Sequence, residues 1–134
     1  MIADNSLWGC GSNTSGPLGI GRQTSDLVSV PVKITFFASK TVKEVACHIA
    51  HHTLVLTESN ELYITGSNYQ GQLTFGDKTN RTSFQRVNLE LGRDDVLAIS
   101  VGEANTYIVI GTAKKGWTLR NIPNFSDVLI NTQH

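Results

Sequence analysis

The apolar residues of this chain come in short runs separated by glycines and polar clusters, and scarce helix signals interrupt them. Residues 7–10, 42–47, 52–57, 62–64, 96–101 and 106–109 read as strands, each bounded by turn chemistry. Within 52–57 the unbroken Leu54-Val55-Leu56 suits a strand buried on both faces. Val30-Pro31-Val32 is also apolar, but its proline cannot donate to a ladder and confines it to an edge or a strand entry.

The pattern repeats. Residues 62–76, LYITGSNYQGQLTFG, restate residues 7–21, LWGCGSNTSGPLGIG, about 55 positions later. Leu7 falls over Leu62, the Gly11-Ser12-Asn13 turn over Gly66-Ser67-Asn68, and Leu18 over Leu73. A polar loop follows each copy, residues 22–29 and 77–83, with Asp26 set over Arg81, Gln23 over Lys78, and Arg86-Val87 in the place of Pro31-Val32. Residues 96–101 then repeat 42–47, and 106–109 repeat 53–56 at a spacing shorter by one, so an irregularity is expected between Cys47 and His52. A third copy starts at Lys115 with RNIPN in place of the GSN turn, and one more apolar run, Val128-Leu129-Ile130, follows.

Repetition at this period with short strands and glycine turns predicts an all-β fold: a partial β-propeller, two blades plus part of a third, of short antiparallel sheets. The expected organisation is a single repeat domain over residues 1–134, with repeats at about 7–61 and 62–114 and a degenerate repeat or cap at about 115–134. The chain then begins partway through a repeat and leaves sheet edges open. A longer chain, self-association into a ring, or atypical caps would each cover them. In the last case residues 128–130 are expected to return beside residues 7–10.

Composition narrows the function classes. At 134 residues with 40% hydrophobic and 16% charged residues, the chain has enough apolar surface for one core. Eleven basic residues balance eleven acidic ones, so sequence-independent attachment to nucleic acid or anionic lipid is not expected. No apolar stretch reaches the ~20 residues that cross a bilayer. Two cysteines and an N-terminus without a secretory pattern suit a cytoplasmic or nuclear setting.

The order of an apolar-aromatic strand, GSNxxGxLxxG, a polar loop and then VACxxxxHTLxLT resembles the regulator of chromosome condensation repeat family over roughly residues 7–110. GSNYQGQL and HTLVLT lie close to its consensus. The resemblance implies propeller blades and a buried, hydrogen-bonding His52 that ties strands within its blade. It makes Gly11, Asn13, Gly66 and Asn68 structural turn residues. The sequence departs from the pattern at His48-Ile49, where the family usually has glycine, and at Asn105, where it has the histidine.

Candidate chemistry is sparse. Cys47, His48, His51 and His52 are residue types that bind zinc, but strand alternation sends them to opposite faces, so no metal site is expected. The glycines of residues 9–21 match neither a dinucleotide nor a Walker spacing, and no catalytic triad or cofactor motif is readable. The expected function is therefore a non-catalytic protein-interaction module that binds a protein partner through its blade-connecting loops. Arg22, Asp26, Tyr69, Lys78 and Arg81 are the partner-binding candidates, Tyr69 as an exposed turn aromatic. The second reading is guanine-nucleotide exchange on a small GTPase, because the best-known member of the family is the exchange factor for Ran. That relative uses a complete ring and a protruding wedge, and nothing in this sequence corresponds to the wedge.

Overall fold

The computed structural model describes residues 2–3, 5–47, 49, 51–111, 117–120 and 127–131. Among the described residues, eleven strands make three sheets. The first holds β1 (Ile2–Ala3), β2 (Ser6–Gly11) and β3 (Val28–Lys33) in that order. The second runs β4 (Val42–Cys47), β5 (His52–Thr57), β6 (Leu62–Gly66), β7 (Arg81–Val87), every pair antiparallel. The third contains β8 (Asp95–Val101), β9 (Thr106–Gly111), β10 (Trp117–Arg120) and β11 (Asp127–Asn131), ordered β10-β11-β9-β8. A 3-10 turn, Thr35–Phe37, links the first sheet to the second.

The second sheet is the centre of the molecule. Leu54, Leu56, Leu62 and Ile64 project from one face and pack with Val96, Ile99, Ile108 and Ile110 of the third sheet. Val55 and Tyr63 project from the other and meet Leu7, Ile34, Phe37 and Phe84. Both faces are thus covered, as the unbroken apolar run predicted, and each fully buried Leu or Ile contributes roughly 1.5–3 kcal/mol. Phe37 and Phe84 meet edge to face at 4.8 Å, as do Phe37 and Tyr63 at 5.4 Å, and lock the turn onto the first seam.

Sheets and sequence repeats are out of phase. The second sheet takes β4 and β5 from the end of one period and β6 and β7 from the start of the next.

Three expectations are corrected. The one-residue slip near Cys47 falls in the hairpin connection, because residues 48–52 separate the pair Cys47↔Thr53 whereas residues 102–105 separate Val101↔Thr106. A loop absorbs the extra residue without turning a strand over; the ladder irregularity lies at the opposite end, between Val42 and Glu44 and again between Val96 and Ala98. The copies also align differently in their outer strands: Gly11 pairs Val28 while Gly66 pairs Arg81, and Trp8 pairs Lys33 while Tyr63 pairs Arg86. Arg86-Val87 therefore stand in the place of Lys33-Ile34, and Arg81 in the place of Val28, not Asp26, because the first polar loop is two residues longer. In both outer strands three residues, 29–31 and 82–84, face one residue of the neighbour, Cys10 and Thr65.

The third correction concerns the tail. Residues 128–130 do not lie beside residues 7–10. They belong to β11, which pairs in parallel with β9, from Asp127↔Tyr107 to Asn131↔Gly111, and antiparallel with β10. The edge of β9 lies much closer in sequence, its residues pairing 20 positions upstream from Asp127↔Tyr107 onward, and closing onto it costs less chain entropy than returning to the first sheet. One pair of the third sheet is consequently parallel. Residues 121–126, where the RNIPN segment lies apart from Arg120, fall outside the described residues.

Candidate functional site

Buried asparagines build the loops. Asn13 Nδ2 donates to the Arg22 carbonyl at 2.7 Å and its Oδ1 accepts from Leu18 N at 3.2 Å. Asn68 does the same with the Asp77 carbonyl at 2.9 Å and Leu73 N at 2.9 Å. Each asparagine carbonyl also accepts from the glycine three residues on, Gly16 or Gly71. One side chain thereby closes a ten-residue loop in each copy, and a buried amide with several partners is expensive to replace. Gly11 and Gly66 enter these loops at φ of 115° and 113°, a conformation that favours glycine.

The partner-binding candidates divide into two groups. Arg22, Asp26 and Lys78 are exposed in the polar loops. Arg81 is engaged within its own loop: Nη2 lies 2.7 Å from Asp77 Oδ2, Nη1 donates to the Thr79 carbonyl, Nε donates to Gln85, and the guanidinium sits 5.0 Å from the Phe75 ring centre. The Arg81 guanidinium, followed by the Thr79 N–H, holds the Asp77 carboxyl down at about 2. Asp77 also accepts from Asn68 Nδ2, so the ion pair is joined to the asparagine that closes the loop.

Tyr69 stands apart from these, 67% exposed in the wall of a cleft of about 590 Å³. Three connections form that cleft: the β4–β5 link with Ile49 and His51, the turn after β6 with Tyr69, Gln70 and Gln72, and the β8–β9 link with Glu103 and Asn105. Ile49 is 79% exposed. Sequence reasoning passed over Ile49 because the neighbouring cysteine and histidines drew attention to metal chemistry. The available signal was a large apolar side chain in a polar connection.

Of that cluster, Cys47 and His51 are exposed, His52 is buried, and His48 lies outside the described residues. His52 Nε2 meets Thr106 Oγ1 of the third sheet at 3.3 Å, and Thr106 donates to the Gln72 carbonyl at 2.8 Å. The contact to Thr106 runs between sheets. It also fixes the floor of the cleft, since Gln72 belongs to its lining.

The Regulator of chromosome condensation (RCC1) repeat matches residues 4–56, and a second form of that repeat matches residues 50–72. The human X-linked retinitis pigmentosa GTPase regulator is 34% identical over 102 residues, which is 76% of this chain and 10% of that relative. The crystal structure of human WBSCR16 superposes with a TM-score of 0.70 at 19% identity, covering 88% of this chain and 29% of the other. Prp20p of Saccharomyces cerevisiae superposes with a TM-score of 0.66 at 20% identity, covering 87% and 28%. These likenesses agree with the duplicated asparagine loops and the partial propeller they connect. The chain belongs to the regulator of chromosome condensation repeat family.

Proposed function

We propose that the chain is a non-catalytic protein-interaction module that binds a protein partner through its blade-connecting loops, with Ile49 and Tyr69 as apolar anchors. The observation that carries this reading is the exposure of both side chains in one concave wall, framed by the polar side chains of Gln70, Glu103 and Asn105. Large apolar anchors inside a polar rim are the usual composition of an interface centre. Arg22, Asp26 and Lys78 supply charged contacts from the flanking loops, and Arg81 contributes by keeping its loop in shape. The cytoplasm or the nucleus is the proposed compartment.

A second reading is regulation of a small GTPase. It is favoured by the relative named as a GTPase regulator, and by the structure of Prp20p described with its binding to Gsp1p and histones. The chain spans only 10% and 28% of those proteins.

A photo-crosslinking residue at Tyr69, with one at Leu27 as control, separates a partner face from bare surface. A discrete adduct at position 69 that disappears with Ile49→Ala supports the first reading. Identical adducts at both positions sink it. Nucleotide release from a panel of small GTPases tests the second, which stands if substoichiometric protein speeds release and Tyr69→Ala abolishes the effect.

A further inference from the structure

The cleft that holds Ile49 and Tyr69 also holds a charge. Glu103 is the one carboxylate among its described lining residues, and no lysine or arginine stands with it there. Gly102 N donates to the Asn105 carbonyl at 2.9 Å, which closes the β8–β9 link as a tight turn with Glu103 and Ala104 at its tip. Thr106, next along the chain, is buried and bonded to the Gln72 carbonyl, so the turn stands on a fixed base. Glu103 is exposed there, and among the described residues its carboxylate has no ion pair or hydrogen bond.

The other polar groups of the cleft bond to one another. Ser67 N donates to the His51 carbonyl at 2.8 Å and clamps two of the three connections together. Gln72 Oε1 accepts from Gln70 N at 3.0 Å, and Gln72 Nε2 donates to Ser67 Oγ at 3.4 Å. Asn105 Nδ2 donates to the Tyr107 hydroxyl at 3.0 Å. A ligand therefore meets a carboxylate, the ring of Tyr69 and the aliphatic side chain of Ile49. A phosphate-bearing ligand would meet negative charge with no cation beside it to offset the repulsion. A purely apolar segment would bury the carboxylate unpaired, at a desolvation cost that nothing offsets.

We infer that the cleft takes an arginine of the partner protein flanked by an aliphatic residue, with the guanidinium on the Glu103 carboxylate and the Tyr69 ring and the aliphatic side chain against Ile49. A guanidinium offers a carboxylate two parallel N–H donors, stacks on an aromatic face and is more weakly hydrated than an ammonium. The chain as a whole has zero formal net charge, so selection of a basic segment falls to this local group rather than to long-range steering. The inference rests on the interaction reading above and adds to it the chemistry of the partner.

The test is an NMR titration of the intact protein with the capped tripeptide leucyl-arginyl-leucine, and with the same peptide carrying citrulline, the neutral isostere, in place of arginine. Saturable shifts at the amides of Tyr69, Gln70 and Glu103 are expected, with the citrulline peptide about fivefold weaker. Glu103→Gln changes an exposed turn that the carboxylate does not hold together. It is expected to weaken the arginine peptide to the citrulline level and to leave the citrulline peptide unchanged. Added salt should do the same. Loss of binding with Ile49→Ala combined with indifference to Glu103→Gln overturns the arginine site and leaves the interaction reading standing. Indifference to both substitutions removes both. Equal affinity for the two peptides, or no shifts at millimolar arginine peptide, also overturns the inference, and photo-crosslinking at Tyr69 then decides the interaction reading by itself.

Discussion

His52 and Thr106 meet across the seam between the second and third sheets, and through Thr106 the contact extends to the Gln72 carbonyl. Histidine, hydroxyl and carbonyl come from a strand start, a second strand start and a turn, so one buried chain of polar contacts sets the spacing of three segments. His52→Ala is expected to lower the unfolding free energy by about 2–4 kcal/mol, through lost packing and the loss of one of the two contacts of the Thr106 hydroxyl. Urea denaturation of His52→Ala, Thr106→Ala and the double variant checks the coupling. Strict additivity would show that the two residues act separately.

Acid should weaken the fold through two carboxylates. Glu61 accepts from Ser59 at 2.8 Å, Tyr63 at 2.9 Å and Lys40 at 3.1 Å, and these partners, Ser59 first, hold its carboxyl down at about 2 from 4.5. Asp77 is held at about 2 by Arg81. A carboxyl whose folded value lies below its unfolded one stabilises above the unfolded value, and that contribution disappears as pH falls through the folded one. Tm is therefore expected to decline from about pH 4.5 toward about pH 2. Glu61→Gln and Asp77→Asn should each flatten that decline. An unchanged slope in both would locate the acid sensitivity elsewhere.

Thr74 sits at φ 70°, in the position that Gly19 occupies at φ 65° in the first copy. A β-branched residue is strained there, and the buried Thr74 Oγ1 has no hydrogen-bond partner among the described residues. Thr74→Gly is expected to raise stability by about 1 kcal/mol, after allowing for the greater freedom of glycine in the unfolded chain. A lower urea midpoint would mean that packing of the threonine methyl outweighs the strain.

The two turn glycines should differ in their tolerance of a methyl group. Gly66→Ala is expected to cost about 3 kcal/mol or more, because the backbone of His51 occupies the space. Gly11→Ala is expected to cost only about 1 kcal/mol, from backbone conformation alone. Thermal melts of the two variants decide this, and equal losses would show that φ matters more than the neighbour.

Much of the architecture was legible because the apolar alternation and the GSN turns are local signals written twice. Leu54-Val55-Leu56 gave burial on both faces, and the spacing from Asn13 to Asn68 gave the duplicated loops. Legibility ended where pairing decides. No local feature of residues 128–130 distinguishes the edge of β9 from the edge of β2. The two extra residues of the first polar loop are invisible to an alignment that carries one spacing through. Arg81 looked like a free charge because its bonds to Asp77 and Thr79 depend on the loop's three-dimensional course. Ile49 acquired meaning only once the fold brought it to the cleft that holds Tyr69.

Because the second sheet is stitched from the end of one period and the start of the next, the unit that was copied in the sequence is not the unit that folds. Deleting a single period therefore removes half of each of two neighbouring sheets and joins strands that never shared a ladder. Each crossing from one sheet to the next, β3 to β4 and β7 to β8, lies inside a single period, so neighbouring sheets share a covalent thread that no side-chain substitution can cut.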